Sequence, residues 1–389
     1  MHERMSTAHK HHKHENRTSP STAPHNGSHE DGSRVFDVLS FGAKGDGMSD
    51  DSKAIISAWK AACKVGWATV EIPSEFKFLM KPLTLQGPCM PHLVLQNFTI
   101  QGSGTVDGHG SSWWKLSQTH HNQALRFYQS YNVTVRDITI IDSPQCHLKF
   151  DSSRVIKVQN ITIVSPGDSP NTDGVHLQNT HDVEIWNSSI GCGDDCVSIQ
   201  TGSSNVHVHH INCGPGHGIS LGGLGKDHSL ACVSNITVEN IYVENALTGV
   251  RIKTWQGGTG SVRNITFSNV RVADVEIPIV IDQYYCGGRS CKNQTRAVEI
   301  SSIQYRTITG TFSVQPVYLA CSDSTPCTNI SLVDIRLSPA PESQGTGGGV
   351  VCYNSYGESS GHLVPSNVNC LKRSSRLFRA FTGSHGYTC

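Results

Sequence analysis

The chain has 389 residues, too many for one compact two-layer domain, so it holds either several domains or one elongated repeat that grows without thickening its core. Only 16% of residues are charged, and 31 Lys+Arg balance 31 Asp+Glu, which argues against the basic field of a protein that grips nucleic acid or an anionic membrane. Glycine, at 37 residues, exceeds its usual share of ~7%, and no apolar run approaches the ~20 residues of a membrane span, so turn-rich β structure is expected.

Residues 1–33 carry 7 of the 21 histidines among Ser, Thr and Pro, without apolar periodicity, and read as a disordered segment. They show no apolar leader core and no small-residue cleavage site. Fourteen cysteines, several in short pairs able to close small loops (Cys192/Cys196, Cys286/Cys291, Cys321/Cys327), nevertheless point to an oxidising compartment. The two readings are reconciled if Met1 is not the natural start or a leader has been removed.

Phe36 to Leu39 reads as a short strand and Gly42 to Gly47 as a turn. Ser49 and Asp50 can cap a helix whose apolar residues Ile55, Ile56, Trp59 and Cys63 recur at helical spacing, and Gly66 ends it. One amphipathic helix ahead of a long run of strands predicts a cap on an otherwise open β edge.

From about residue 95 a pattern recurs in which a polar residue, often Asn, precedes alternating β-formers: NVTV at Asn132, NITI at Asn160, NVHV at Asn205, NITV at Asn235, NITF at Asn264 and NISL at Asn329. Aligning Val133, Val155, Val183, Val206, Ile236 and Ile265 gives separations of 22, 28, 23, 30 and 29 residues, a solenoid period. No helical stretch separates the repeats, so the expected class is all-β, a parallel β-helix with one N-terminal capping helix. Residues 34–389 then form a single parallel β-helix domain. Ten N-x-S/T sequons fit either N-glycosylation or Asn at left-handed coil corners.

Four segments in mid-solenoid carry the chemistry: SPNTDGVH (Ser169 to His176), GCGDDC (Gly191 to Cys196), CGPGHGISLGGLG (Cys213 to Gly225) and RIKTWQGG (Arg251 to Gly258). Asp173, Asp195 and His217 are spaced by 22 and 22 residues, one coil each, so stacked coils bring them into a column. Asp194 lies beside it, and Arg251 and Lys253, two apart on a strand, project to one face. Crowded carboxylates keep one group protonated, as acid/base glycoside hydrolysis requires. The two cations suit an anionic sugar or, alternatively, a salt bridge to the aspartates themselves. Tyr284 and Tyr285, one strand further on, offer a sugar-stacking ring or a hydroxyl.

In this order and spacing the four segments, with FDVLSFGAKGDG and VIDQYYC, resemble the signature set of polygalacturonases, pectin-hydrolysing glycoside hydrolases, and in particular their plant branch. The resemblance spans about residues 34–372. It implies a right-handed parallel β-helix and inverting hydrolysis of α-1,4-linked galacturonan. Asp194 is then the general acid, Asp173 and Asp195 hold and activate water, and His217 supports the carboxylates. Asn171, Arg251, Lys253 and Tyr285 bind substrate, and a disulfide joins Cys196 to Cys213. It further implies a secreted, extracellular protein of the cell wall, monomeric, with pectin as its acidic-polysaccharide partner and no cofactor, metal, nucleic acid or membrane partner. The alternatives are a rhamnogalacturonan or xylogalacturonan hydrolase, a calcium-dependent lyase of similar fold, or a catalytically silent pectin-binding wall protein.

Overall fold

The architecture was obtained as a computed structural model, which describes residues 34–66, 68–73, 75–79, 94–101, 103–115, 123–287, 291, 293–341, 348–373 and 389. The segment expected to be disordered, 1–33, lies outside the described residues. Every recorded strand pairing is parallel, and the strands form a 15-stranded sheet, a 9-stranded sheet and a two-stranded pair, so the chain winds as a parallel β-helix.

The coil is built from two local signals, alternation and asparagine. In His181–Gly191 the buried residues Val183 and Ile185 alternate with outward ones until the chain turns at Asn187, whose φ is 50°. Asn132, Asn160, Asn205, Asn235, Asn264 and Asn329 also take left-handed φ values of 50–58° at such corners. Asparagine tolerates this conformation far better than a β-branched residue, so the sequon pattern encodes coil geometry whether or not glycan is attached. The corner amides also stack: Asn235 donates to Asn205 at 3.1 Å and Asn264 to Asn235 at 3.2 Å.

Inside, Val133, Ile156, Val183, Val206, Ile236, Ile265, Ile303 and Ile330 pair in register as one buried column. Fully burying a side chain of this size contributes about 1.5–3 kcal/mol, so the column is a principal source of stability. The expected alignment is wrong at one position: Val155 sits at a corner with φ 58°, and Ile156 is the core residue. The corrected separations from Val133 through Val183 are 23 and 27.

The helix spans Ser52–Ala62 and turns Ala54, Ile55, Ala58 and Ala62 inward at the solenoid's open end. Its N-cap is Asp51, not Ser49 or Asp50, because those two complete the strand Asp46–Asp50. Asp50 Oδ1 still accepts from Ser52 N at 3.1 Å, whereas the buried Asp51 carboxylate accepts from Lys44 N and Gly45 N and fixes the preceding turn. Cys286–Cys291 and Cys321–Cys327 are disulfides. Cys192/Cys196 is not: Cys196 bonds Cys213 on the adjacent coil, and Cys192 is a buried free thiol.

Candidate active site

The functional cluster lies at the 9-stranded sheet. Its register pairs Val175 with Val197, Val197 with Ile219 and Ile219 with Val250, so the residues two before each, Asp173, Asp195, His217 and Thr248, occupy equivalent positions on four coils. Backbone bonds from Gly174 N to Asp195 O, 2.9 Å, and from Cys196 N to Gly218 O, 2.8 Å, carry that register into the turn. The Cys196–Cys213 disulfide anchors the residue after Asp195 to the neighbouring coil. Glycine is obligatory at two points of this turn. A Cβ on Gly193 would lie 1.9 Å from Ser169 O, and one on Gly216 would lie 2.8 Å from Asp194 O with φ at 154°.

Asp195 is the most enclosed of the three carboxylates. Its Oδ1 accepts from Arg251 at 2.6 Å and from Ser220 Oγ at 2.7 Å, and its Oδ2 accepts from Lys253 Nζ at 2.9 Å. Arg251 and Lys253 are themselves only 8% and 6% exposed, so three charges are buried as one unit. Burial pushes the Asp195 carboxyl up, but the charges of Lys253 and Arg251, with the Ser220 hydroxyl, more than offset this and hold it below the usual aspartate range. Of the two readings open for the cations, the salt bridge to an aspartate is present. Arginine has five N–H donors and ammonium three, so pairing with Asp195 leaves donors for a second anion.

Asp173 behaves oppositely. Burial raises its carboxyl above the usual range despite a 2.8 Å hydrogen bond with His176 Nδ1, and the charges of Asp194 and Asp195 push the same way. Asp194 is the most accessible of the set, its side chain 20% exposed against 11% for Asp173 and 2% for Asp195. His217 Nδ1 and Asp194 Oδ1 share a hydrogen bond of 2.9 Å, and Asp195 N donates to the same oxygen at 2.8 Å. Both contacts fall on Oδ1, which leaves Oδ2 as the oxygen suited to exchange a proton with a ligand.

The structure therefore gathers Asp173, Asp194, Asp195, His217, Arg251 and Lys253 into one cluster. Tyr285 stands beside it, with Lys253 Nζ 5.4 Å from its ring centroid and the Trp255 ring edge-on at 5.2 Å. Gly223 makes room for these rings, since a Cβ there would lie 2.6 Å from Trp255 Nε1. Tyr284 instead donates its hydroxyl to Cys321 O at 3.2 Å. Asn171 lies in the turn before Asp173 with φ 53°, half-buried.

Two residues of the cluster were overlooked in the sequence, His176 and Ser220. His176 holds Asp173, and Ser220 bridges Asp195 to Arg251, whose Nε donates to it at 3.1 Å. A signal was available: His176, Ser198 and Ser220 repeat the same 22-residue spacing and pair in register.

Comparison with known proteins is consistent with this geometry. Residues 49–348 match the family described as glycosyl hydrolases family 28. A probable polygalacturonase of Arabidopsis thaliana is 38% identical over 375 residues, covering 85% of this chain and 83% of the relative. A polygalacturonase of Chamaecyparis obtusa is 37% identical, covering 88% and 74%. Among solved structures, the polygalacturonase of Erwinia carotovora ssp. carotovora superposes with a TM-score of 0.62 at 22% identity, over 80% of this chain and 94% of that one, a likeness of fold.

Proposed function

The chain belongs to glycosyl hydrolases family 28, and from that premise we propose that it is a polygalacturonase, hydrolysing α-1,4 bonds between galacturonate residues of pectin with inversion at the anomeric carbon. The observation that carries the reading is the coil-registered cluster, with three aspartates and a histidine against two cations. Hydrolysis with inversion needs an acid on the leaving oxygen and a carboxylate that activates water on the opposite side of the sugar.

Asp194 is the acid in this reading. It is the carboxyl most open to a ligand, and its Oδ2 is the oxygen from which a proton would pass to the glycosidic oxygen. His217 orients Asp194 through Oδ1 and does not itself touch the leaving group. Asp195, held in its carboxylate form by Lys253 and Arg251, is available to activate the water together with Asp173 beside it. Burial raises the Asp173 carboxyl above the usual aspartate range, and in this reading it shares with Asp195 the holding of the water. The remaining donors of Arg251 and Lys253 would take a galacturonate carboxylate, and Tyr285 would pack on the adjoining sugar. Disulfides and exposed sequons support secretion to the cell wall.

The test is product chemistry. Polygalacturonate treated with the protein is expected to yield new reducing ends, no ultraviolet-absorbing unsaturated uronate, and an undiminished rate with a metal chelator present. An unsaturated product or loss of rate on chelation would instead indicate a calcium-dependent elimination. Reducing ends from rhamnogalacturonan or xylogalacturonan but not from polygalacturonate would shift the substrate assignment within the family.

A further inference from the structure

On the 15-stranded sheet, away from the cleft sheet, the segment NVHVHHINC places His207 and His209 two residues apart on the strand Ser204–Cys213. Val206 and Val208 point into the core, so both imidazoles stand on the outer face, with ring centroids 4.2 Å apart. The neighbouring strands supply a carboxylate on each side. Glu184 lies opposite His207 in register and Glu239 opposite His209, and each reaches diagonally: His207 Nε2 is 2.9 Å from Glu239 Oε1 and His209 Nε2 is 3.3 Å from Glu184 Oε1. A ring nitrogen from each histidine and a carboxylate oxygen of Glu184 lie within 4.8 Å of one another.

We propose that Glu184, His207 and His209 form a surface binding site for a divalent transition ion of the zinc class, with Glu239 or water completing the coordination. Two imidazoles and a carboxylate are the donor set zinc, nickel and copper select, whereas calcium and magnesium demand more oxygen. Ligand atoms around a tetrahedral zinc stand about 3.3 Å apart, so the present spacing requires up to about 1.5 Å of side-chain adjustment, supplied chiefly by the more exposed His207 and Glu184 about the enclosed His209. The His-x-His spacing is rigid because the strand holds both residues on one face. Strands carrying Glu184 and the two histidines belong to successive coils, so the ion would clamp one coil to the next. This departs from the expectation that the chain binds no metal. It is independent of the hydrolytic reading.

The first 33 residues contain seven histidines able to bind zinc on their own account, so the test uses the full chain with His2, His9, His11, His12, His14, His25 and His29 replaced by Asn. Equilibrium dialysis against zinc chloride is expected to leave one zinc per chain. In the same background H207Q and H209Q should each weaken retention at least about tenfold, since each removes one of three protein ligands. Zinc should raise the melting temperature of the parent and not of H207Q/H209Q, while the circular dichroism and cooperative zinc-free melting of the variants report that they are folded. No retained zinc overturns the proposal. Undiminished retention by H207Q/H209Q also overturns it and directs attention to the cleft cluster of Asp194, Asp195 and His217.

Discussion

Replacing Asp194 with Asn is expected to lower kcat on polygalacturonate by about 10²–10⁴-fold while KM changes by no more than about fivefold. Asn is nearly isosteric and can still accept from Asp195 N and pair with His217, so the cluster keeps its shape and loses only the transferable proton. The split between kcat and KM is the informative readout. A purely structural Asp194 would raise KM and lower stability together. His217→Gln should fall in the same direction with a smaller loss, because His217 orients the acid without delivering the proton. Activity of Asp194→Asn equal to that of the unaltered chain would remove the acid assignment.

The second large effect is on stability. Asp195→Asn leaves Arg251 and Lys253 buried without their counter-charge, and breaking a buried pair from one side typically costs about 3–5 kcal/mol. The loss in unfolding free energy should show in denaturant titration at neutral pH, with Asp195→Asn/Lys253→Met recovering part of it. The pH dependence follows from the direction of the shift. The Asp195 carboxyl is depressed in the folded chain, so its contribution is fully present above the ordinary aspartate range near pH ~4 and is lost as pH falls through the folded value. The stability gap between the unaltered chain and Asp195→Asn should therefore narrow on acidification below about pH 4. Asp173, whose carboxyl is raised in part by the Asp195 charge, contributes with the opposite sign; Asp195→Asn relieves part of that elevation, which offsets some of the gap at neutral pH without reversing its narrowing on acidification. A gap independent of pH would show that the Asp195 charge does not stabilise the fold.

Much of the fold was legible because its determinants are local. Asn before alternating branched residues specifies a left-handed corner followed by a strand, and the recurrence of that pair gives the coil. The 22-residue spacing of Asp173, Asp195 and His217 then becomes a column without further information. Where local signals were degenerate the reading slipped. Arg154-Val-Ile-Lys-Val offers a core residue in either phase, and only pairing with Val133 and Val183 selects Ile156.

Contacts across coils were harder to read. Arg251 and Lys253 follow His217 by an irregular interval that includes the turn at Lys226–His228, so nothing in the spacing shows that both close on Asp195, 56 and 58 residues away. Proximity in sequence misled for one cysteine pair, whereas Cys286–Cys291, Cys321–Cys327 and the Cys196–Cys213 bridge implied by the resemblance are all present. Cys192 and Cys196 are near in sequence, but the stacked coil brings Cys213 to Cys196 instead.

The central claim, direct displacement at the anomeric carbon by water activated within this aspartate cluster, is tested most directly by proton NMR of the first products released from polygalacturonate. The α-linkage should give β-configured reducing ends that convert to the α form only as mutarotation proceeds. Reducing ends that appear first as the α-anomer, or chain ends bearing a 4,5-double bond, would contradict the account.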